Sequence, residues 1–255
     1  MGTVTFLGTG TSTGIPEIGC HCATCTSSDP RDSRFRASVL VQYGGEEILI
    51  DCGPDVRSQL LKVDCCNLDR ILLTHEHYDH TGGLDDMRPL FRDKPEVPIY
   101  AEANVIDAIK RRLPYVFVKV PYPGVPHLVT HEVAPYEKIP LHDNQYIEPL
   151  RVLHGKLPIL GYKMGNFAYI TDCKTLPSET IERIKGVDIL VINALRTYDH
   201  PAHLTFQEAL SLIEKIAPQH AYLTHFAHTF GTHKDIEKLC PEGVSPAYDQ
   251  LTLHF

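Results

Sequence analysis

Leu72-Leu73-Thr74-His75-Glu76-His77-Tyr78-Asp79-His80 is the stretch on which the reading of this chain turns. Three imidazoles and a carboxylate fall between positions 75 and 80, directly behind the run 70–74, which has the length and apolar content of a buried strand. A strand end followed by a tight loop can turn His75 and His77 toward one metal ion and Asp79 and His80 toward another, and imidazole and carboxylate suit zinc, manganese or iron. A helix would not bring neighbours two apart to one side. Glu76 and Tyr78 read as spacers facing away from the metals. The plain alternative is a polar surface loop.

Working outward, further strands are expected at 3–7, 37–43, 47–51 and 97–100. Helices are expected at 55–62, where Pro54 suits a first turn, and at 103–113, where Val105, Ile106, Ile109 and Leu113 recur at helical spacing. The segment 114–149 is broken by many prolines and reads as an irregular or hairpin excursion. Strands resume at 150–154, 161–164, 167–172, 188–193 and 220–224, with helices at 178–185 and 205–216. A faint echo links Ile50-Asp51-Cys52 to Thr171-Asp172-Cys173, and Leu73-Thr74-His75 to Leu223-Thr224-His225. Four strands thus deliver His or Asp at their C-terminal ends, where a sandwich of two sheets would gather them at one edge.

Composition sets the frame for these motifs. The chain has 255 residues, 43% hydrophobic and 22% charged, which suits one globular domain over 1–255 and leaves no room for a disordered or fibrous class. No apolar run approaches the roughly 20 residues that span a bilayer, and the start lacks a basic segment followed by an apolar core, so a cytoplasmic location is expected. A net charge of −8 argues against a broad nucleic-acid surface. The one short basic run, Lys110 to Arg112, reads as the solvated face of a helix.

In a reducing cytosol, 15 histidines and eight cysteines point to metal rather than to disulfides. Gly19-Cys20-His21-Cys22-Ala23-Thr24-Cys25 places three thiols on one loop, a nearly complete tetrahedral zinc site. The fourth ligand is open among His21, His228, His233 and Cys240. His21 lies between two cysteines and turns poorly to the same ion, whereas His228, three residues after His225, is better placed. Cys52, Cys65, Cys66, Cys173 and Cys240 read as small buried apolar side chains.

Thr74 to His80 resembles the signature motif of the metallo-β-lactamase superfamily. That resemblance implies an α/β fold, a four-layered αββα sandwich. Its strand-closing aspartate is matched by Asp51, read as a support rather than a ligand. Three downstream ligands are matched by His154, followed by Gly161-Tyr162, by Asp172 and by His225. The resemblance then implies one ion on His75, His77 and His154, a second on Asp79, His80 and His225, and Asp172 bridging them. His127, His131 and His142 lie in the proline-broken stretch and are left as surface residues.

The cysteine loop, at about residues 19–36 with Ser28-Asp29-Pro30-Arg31-Asp32-Ser33-Arg34-Phe35-Arg36, resembles one branch of that superfamily, the phosphoribosyl cyclic phosphate phosphodiesterases of the carbon-phosphorus lyase pathway. It implies a structural zinc on Cys20, Cys22 and Cys25, closed by the late His228. His203, in His203-Leu204-Thr205-Phe206, matches the branch's catalytic histidine and is assigned as proton donor to a leaving alkoxide, with Asp79 coupled to the nucleophile. Arg34 and Arg36 are candidate contacts to substrate phosphate, although two arginines near a loop more often serve the structure. The implied function is hydrolysis of a small cyclic sugar phosphodiester by water that two zinc or manganese ions make acidic. The expected partner is that small molecule, with no membrane, nucleic acid disfavoured and a homodimer left open. Processing of transfer-RNA 3′ ends is a competing reading, weakened by the departing segment Gly82 to Leu90 and by the lack of a basic arm. A non-catalytic carrier or cofactor-biosynthesis protein of the same fold is another, which a complete ligand set argues against.

Overall fold

The computed structural model describes residues 1–65, 67–91, 96–118, 124, 125 and 127–255. Its first half holds β1 (Thr3–Gly8), β2 (Ser38–Tyr43), β3 (Glu46–Ile50), β4 (Arg70–Leu72), β5 (Val97–Ala101) and β6 (Leu128–Glu132). Its second half holds β7 (Ile139–Pro140), β8 (Tyr146–His154), β9 (Leu157–Met164), β10 (Phe167–Ile170), β11 (Ile189–Asn193), β12 (His220–Thr224) and β13 (Val244–Pro246), and β14 (Thr252–His254) returns to the first sheet. Among the described residues these make two seven-stranded sheets, ordered β14-β1-β2-β3-β4-β5-β6 and β13-β12-β11-β10-β9-β8-β7.

Period-two alternation builds the layers. Ile48 and Ile50 of β3 turn inward to meet Tyr162, Phe167 and Tyr169 of the other sheet, in the core between the two sheets. Leu49, between them, turns outward with Ile71 and Ile99 onto Val56 and Leu60 of α1 (Val56–Lys62) and onto Val105, Ile106 and Ile109 of the helix Ala103–Arg112. The short α2 (Tyr78–Thr81) follows β4, and α3 spans Ala103–Arg112. On the far side, Leu190, Ile192 and Leu223 pack under Ile184, Ala209, Ile213 and Ile236, carried by α4 (Ser178–Ile184), α5 (Phe206–Ile216) and α6 (His233–Leu239). Three cores separated by two sheets give the αββα order. Because helices cover both outer faces, the inner strands read as unbroken apolar runs.

One side of each sheet, out to its edge, is parallel. β3, β4, β5 and β6 run together, as do β10, β11, β12 and β13. Parallel neighbours need crossovers, so each set ends its strands at one rim and begins the next loop there.

Of the irregular or hairpin excursion expected over 114–149, the hairpin is there in β7 and the start of β8, and β6 lies in the segment as well. These are outer strands, and prolines are tolerated where the ladder is short. β7 pairs with β8 only at Ile139↔Ile147 and Pro140↔Tyr146, so it has ended before Pro149. The short α2, α6, β13 and β14 were not expected, and α2 carries Asp79 and His80 on a helical turn where a tight loop was expected. Among the described residues, no helix is long and apolar enough to cross a membrane.

Candidate metal centre

The seven expected ligands meet at one rim. His75 follows β4, Asp172 follows β10, His225 follows β12, and His154 closes β8 at its hairpin with β9. Asp51, Asp172 and His225 each sit in left-handed backbone, with φ of 63°, 53° and 61°. Such a kink stops the extended strand abruptly, and Asp and His accept it better than most side chains do. Donor atoms of His75, His77 and His154 lie within 4.8 Å of one another, as do those of Asp79, His80 and His225, and those of His75, His80 and Asp172. Asp172 spans the groups, with Oδ2 3.3 Å from His80 Nε2 and Oδ1 3.1 Å from His225 Nε2.

The outer nitrogens explain why the inner ones point inward. His80 Nδ1 donates to Asp51 Oδ2 at 2.7 Å, and His154 Nδ1 donates to the Ala202 carbonyl at 2.7 Å. Thr74 Oγ1 has one hydrogen, given to Asp51 at 2.9 Å, so it accepts from His75 Nδ1, also at 2.9 Å. Each of these rings therefore leaves Nε2 with its lone pair free for a cation, the arrangement expected around a metal. Among the described residues, His75 Nε2 and His80 Nε2 are buried without an aligned hydrogen-bond partner. Buried polar atoms are rarely left so.

Protonation tells the same story. Burial opposes charge on His80, but Asp172, Asp51 and Asp79 outweigh it and push the ring well above the usual imidazole range. Asp172 is held well below the carboxylate range despite its burial, because His225 and His80 face it. His75, buried beside His80, is pushed well down. Clustered carboxylates thus call for positive charge, and a divalent cation answers that demand better than one proton. The donor set fits such ions. Asp51→Asn should keep the left-handed backbone but lose the carboxylate that orients Thr74 and His80, lowering metal affinity about 10-fold to 100-fold in a chelator competition. Unchanged affinity would remove Asp51 from this supporting role.

Cys20, Cys22, Cys25 and His228 form a second group, with Cys20 and Cys22 Sγ each 3.4 Å from His228 Nδ1. The bond to His228 lowers the Cys22 thiol to about 6, whereas burial raises Cys25 to about 11. Three sulfurs and one imidazole match a tetrahedral zinc site. His233 instead meets Arg34 Nη2 at 3.1 Å, and Cys240 packs against the core under α5 and α6. Cys22→Ser is expected to lower Tm by more than about 5 °C and to remove one zinc, more of a stability loss than His77→Ala causes. Unchanged zinc content and Tm would exclude a structural ion here.

Several expectations need correction. For Arg34 the structural alternative holds over substrate contact, since it is only 2% exposed: its guanidinium donates to Thr9 Oγ1 at 2.7 Å and the Ala247 carbonyl at 2.6 Å and lies over the Phe226 ring. It braces the turn beside His225. Arg36 pairs with Asp55 at 2.8 Å and donates to the Ser12 carbonyl. The basic run on α3 is not wholly a solvated face either, since Arg112 donates to Thr81 Oγ1 and to the Glu76 carbonyl and clamps the metal loop from behind. Cys52 and Cys173 are buried, Cys65 and Cys240 only partly so, and Cys66 lies outside the described residues. Glu76 accepts from Asn104 and Tyr78 is 60% exposed, as spacers should be. His127, His131 and His142 are exposed. His203 is brought to the rim, its ring 4.5 Å from His154 and 4.9 Å from His225. Sequence reading missed the Ala202 carbonyl, the Arg112 clamp and His200, whose ring lies 4.8 Å from that of His203.

Comparison with known proteins gives the family. Residues 46–226 match the beta-lactamase superfamily domain. An octanoyltransferase of Porphyromonas gingivalis is 46% identical over 248 residues, 96% of this chain and 50% of that protein, so the chain spans half the length of that relative. The crystal structure of a new diphosphatase from the PhnP family aligns over 100% of this chain and 97% of its own, with 40% identity and a TM-score of 0.92. Zn(2+)-bound PqqB from Methylobacterium extorquens shares the fold at 18% identity, with a TM-score of 0.79 over 99% and 100% of the two chains. A domain match over most of the length and a full-length counterpart at 40% identity leave one conclusion, that the chain belongs to the metallo-β-lactamase superfamily of hydrolases, in its PhnP-like branch.

Proposed function

We propose that this chain is a two-metal phosphoric diester hydrolase whose substrate is a small, cyclic sugar phosphodiester. The observation that carries the reading is His203 beside the seven-donor cluster: its donor atom lies within 4.8 Å of those of His154 and Asp172. With seven donors already assigned to two ions, His203 is left to handle a proton. His75, His77 and His154 would hold one ion, Asp79, His80 and His225 the other, with Asp172 shared; zinc and manganese both suit these ligands. A third ion, zinc, would fill the cysteine loop. When bound, the active-site pair supplies an acidified water and neutralises charge on the phosphoryl oxygens.

The chain's own groups supply the rest. Asp79 stays ionised, since His80 and His225 outweigh its burial and hold its carboxyl below the usual range; it orients the nucleophile. Burial, and then His225, bring His203 down to about 3, so the free ring is uncharged at neutral pH and takes up a proton only when negative charge is added beside it. The negative charge of a bound phosphoryl group raises that pKa again. In this reading His203 passes its proton to the departing sugar oxygen.

A second reading, cleavage of a diphosphate, is favoured by the 40% identical diphosphatase. The two differ in the leaving group, because a departing phosphate needs little protonation and a sugar alkoxide needs much. A third class, acyl transfer, enters through the relative named octanoyltransferase, of which this chain matches only half. The deciding assay gives metal-loaded protein a ribose 1,2-cyclic phosphate, cyclic nucleotides, a nucleoside diphosphate, an aryl diester, precursor transfer RNA and an octanoyl thioester. Turnover of the cyclic sugar phosphate above the others is expected. Activity on the thioester or the RNA alone would overturn the proposal, and inactivity on all would revive the carrier reading.

A further inference from the structure

Behind His203 the chain forms a three-residue bracket, His200-Pro201-Ala202. The Ala202 carbonyl accepts from His154 Nδ1 at 2.7 Å, and the Ala202 N–H donates to His200 Nδ1 at 3.2 Å. A nitrogen that accepts a hydrogen bond carries no proton, so in His200 the proton sits on Nε2. The contact to a backbone N–H two residues on copies the turn that Asn and Asp side chains make. It fixes the imidazole against His203, with ring centroids 4.8 Å apart. Unlike His203, which is buried, His200 is only partly so. Arg196 and Lys174 hold the loop around it: Arg196 donates to the Asp199 carbonyl at 2.8 Å, and Lys174 Nζ lies 3.3 Å from Asp199 Oδ1. The neighbouring cations are thus already engaged, while the Nε2–H of His200 has no recorded acceptor among the described residues.

The geometry points to His200 as a specificity-determining residue whose Nε2–H donates to an oxygen on the leaving portion of the substrate, beside the bridging oxygen served by His203. This rests on the phosphoesterase reading above and narrows it. The substrate's leaving portion must carry an acceptor oxygen next to the scissile bond, as a sugar hydroxyl or a second phosphate does and a plain aryl group does not.

His200→Asn separates this role from a structural one. Asn can supply the acceptor for the Ala202 N–H and keep the bracket, but it has nothing at the Nε2 position. With metal content and Tm unchanged, kcat/KM on the cyclic sugar phosphate or the nucleoside diphosphate should fall about tenfold or more, while that on an aryl diester stays within about twofold. Binding of ribose 5-phosphate, followed by calorimetry without turnover, should weaken in parallel. Equal kcat/KM losses on all substrates, no loss on any, or an unchanged Kd for ribose 5-phosphate would each overturn the inference. If the wild-type chain turns over no phosphate ester, it is the phosphoesterase reading that fails, and the calorimetric comparison still judges His200.

Discussion

His77→Ala and Asp172→Asn are expected to lower turnover by at least about 100-fold at saturating metal while leaving the melting temperature close to that of the parent chain. The two act from opposite sides of the cluster. His77 is an exposed residue of the loop after β4, whereas Asp172 is buried between His80 and His225. Neither belongs to any of the three cores, which lie between and outside the sheets. Loss of activity should therefore come with loss of one ion per chain rather than with unfolding. Turnover near the parent's in either variant, with metal in excess, would count against a two-ion mechanism.

His203→Ala should leave both ions in place and still slow hydrolysis of a sugar phosphodiester by about 100-fold to 10,000-fold, the usual span for a positioned acid. The effect depends on the leaving group. A nitrophenolate departs without a proton, so an aryl diester should be nearly spared, and a diphosphate should fall between the two. Substrates ranked by leaving-group basicity would thus report both on His203 and on which of the two phosphoryl readings is right. An equal loss on every substrate, or the release of an ion from the variant, would show that the ring serves as a ligand, which its nearness to His154 and Asp172 makes the natural rival role.

How much of this was legible in the sequence follows from which groups carry a letter. The metal loop was readable because a strand end compresses four donors into six positions, and β10 and β11 were readable because burial on both faces makes them almost wholly apolar. The cysteine loop was readable for the same reason of density, and the structure brings His228 against it across more than 200 positions. Other parts had no signature. The Ala202 carbonyl that holds His154 is backbone, present at every position. Arg34 in the chain looks like a surface cation, and only the fold reveals that Thr9, Ala247 and Phe226 enclose it. Arg112 has two neighbours of like charge, and the approach of α3 to the metal loop singles it out. β6, β7 and the start of β8 were hidden by prolines that edge positions can accommodate.

The left-handed turns at Asp51, Asp172 and His225 have a bearing on ancestry. Service to the metal site, as ligand or as support, and chain direction are separate demands on those three positions, and only the first ends when catalysis is lost. A descendant that abandoned its ions would be free to drop the carboxylates and the imidazole, but a branched or bulky replacement would still cost about 1–2 kcal/mol in that conformation. Asparagine and glycine would cost least. A retired member of this lineage should therefore be recognisable by Asn or Gly standing at these three strand ends, relics of a metal site that outlast the metal.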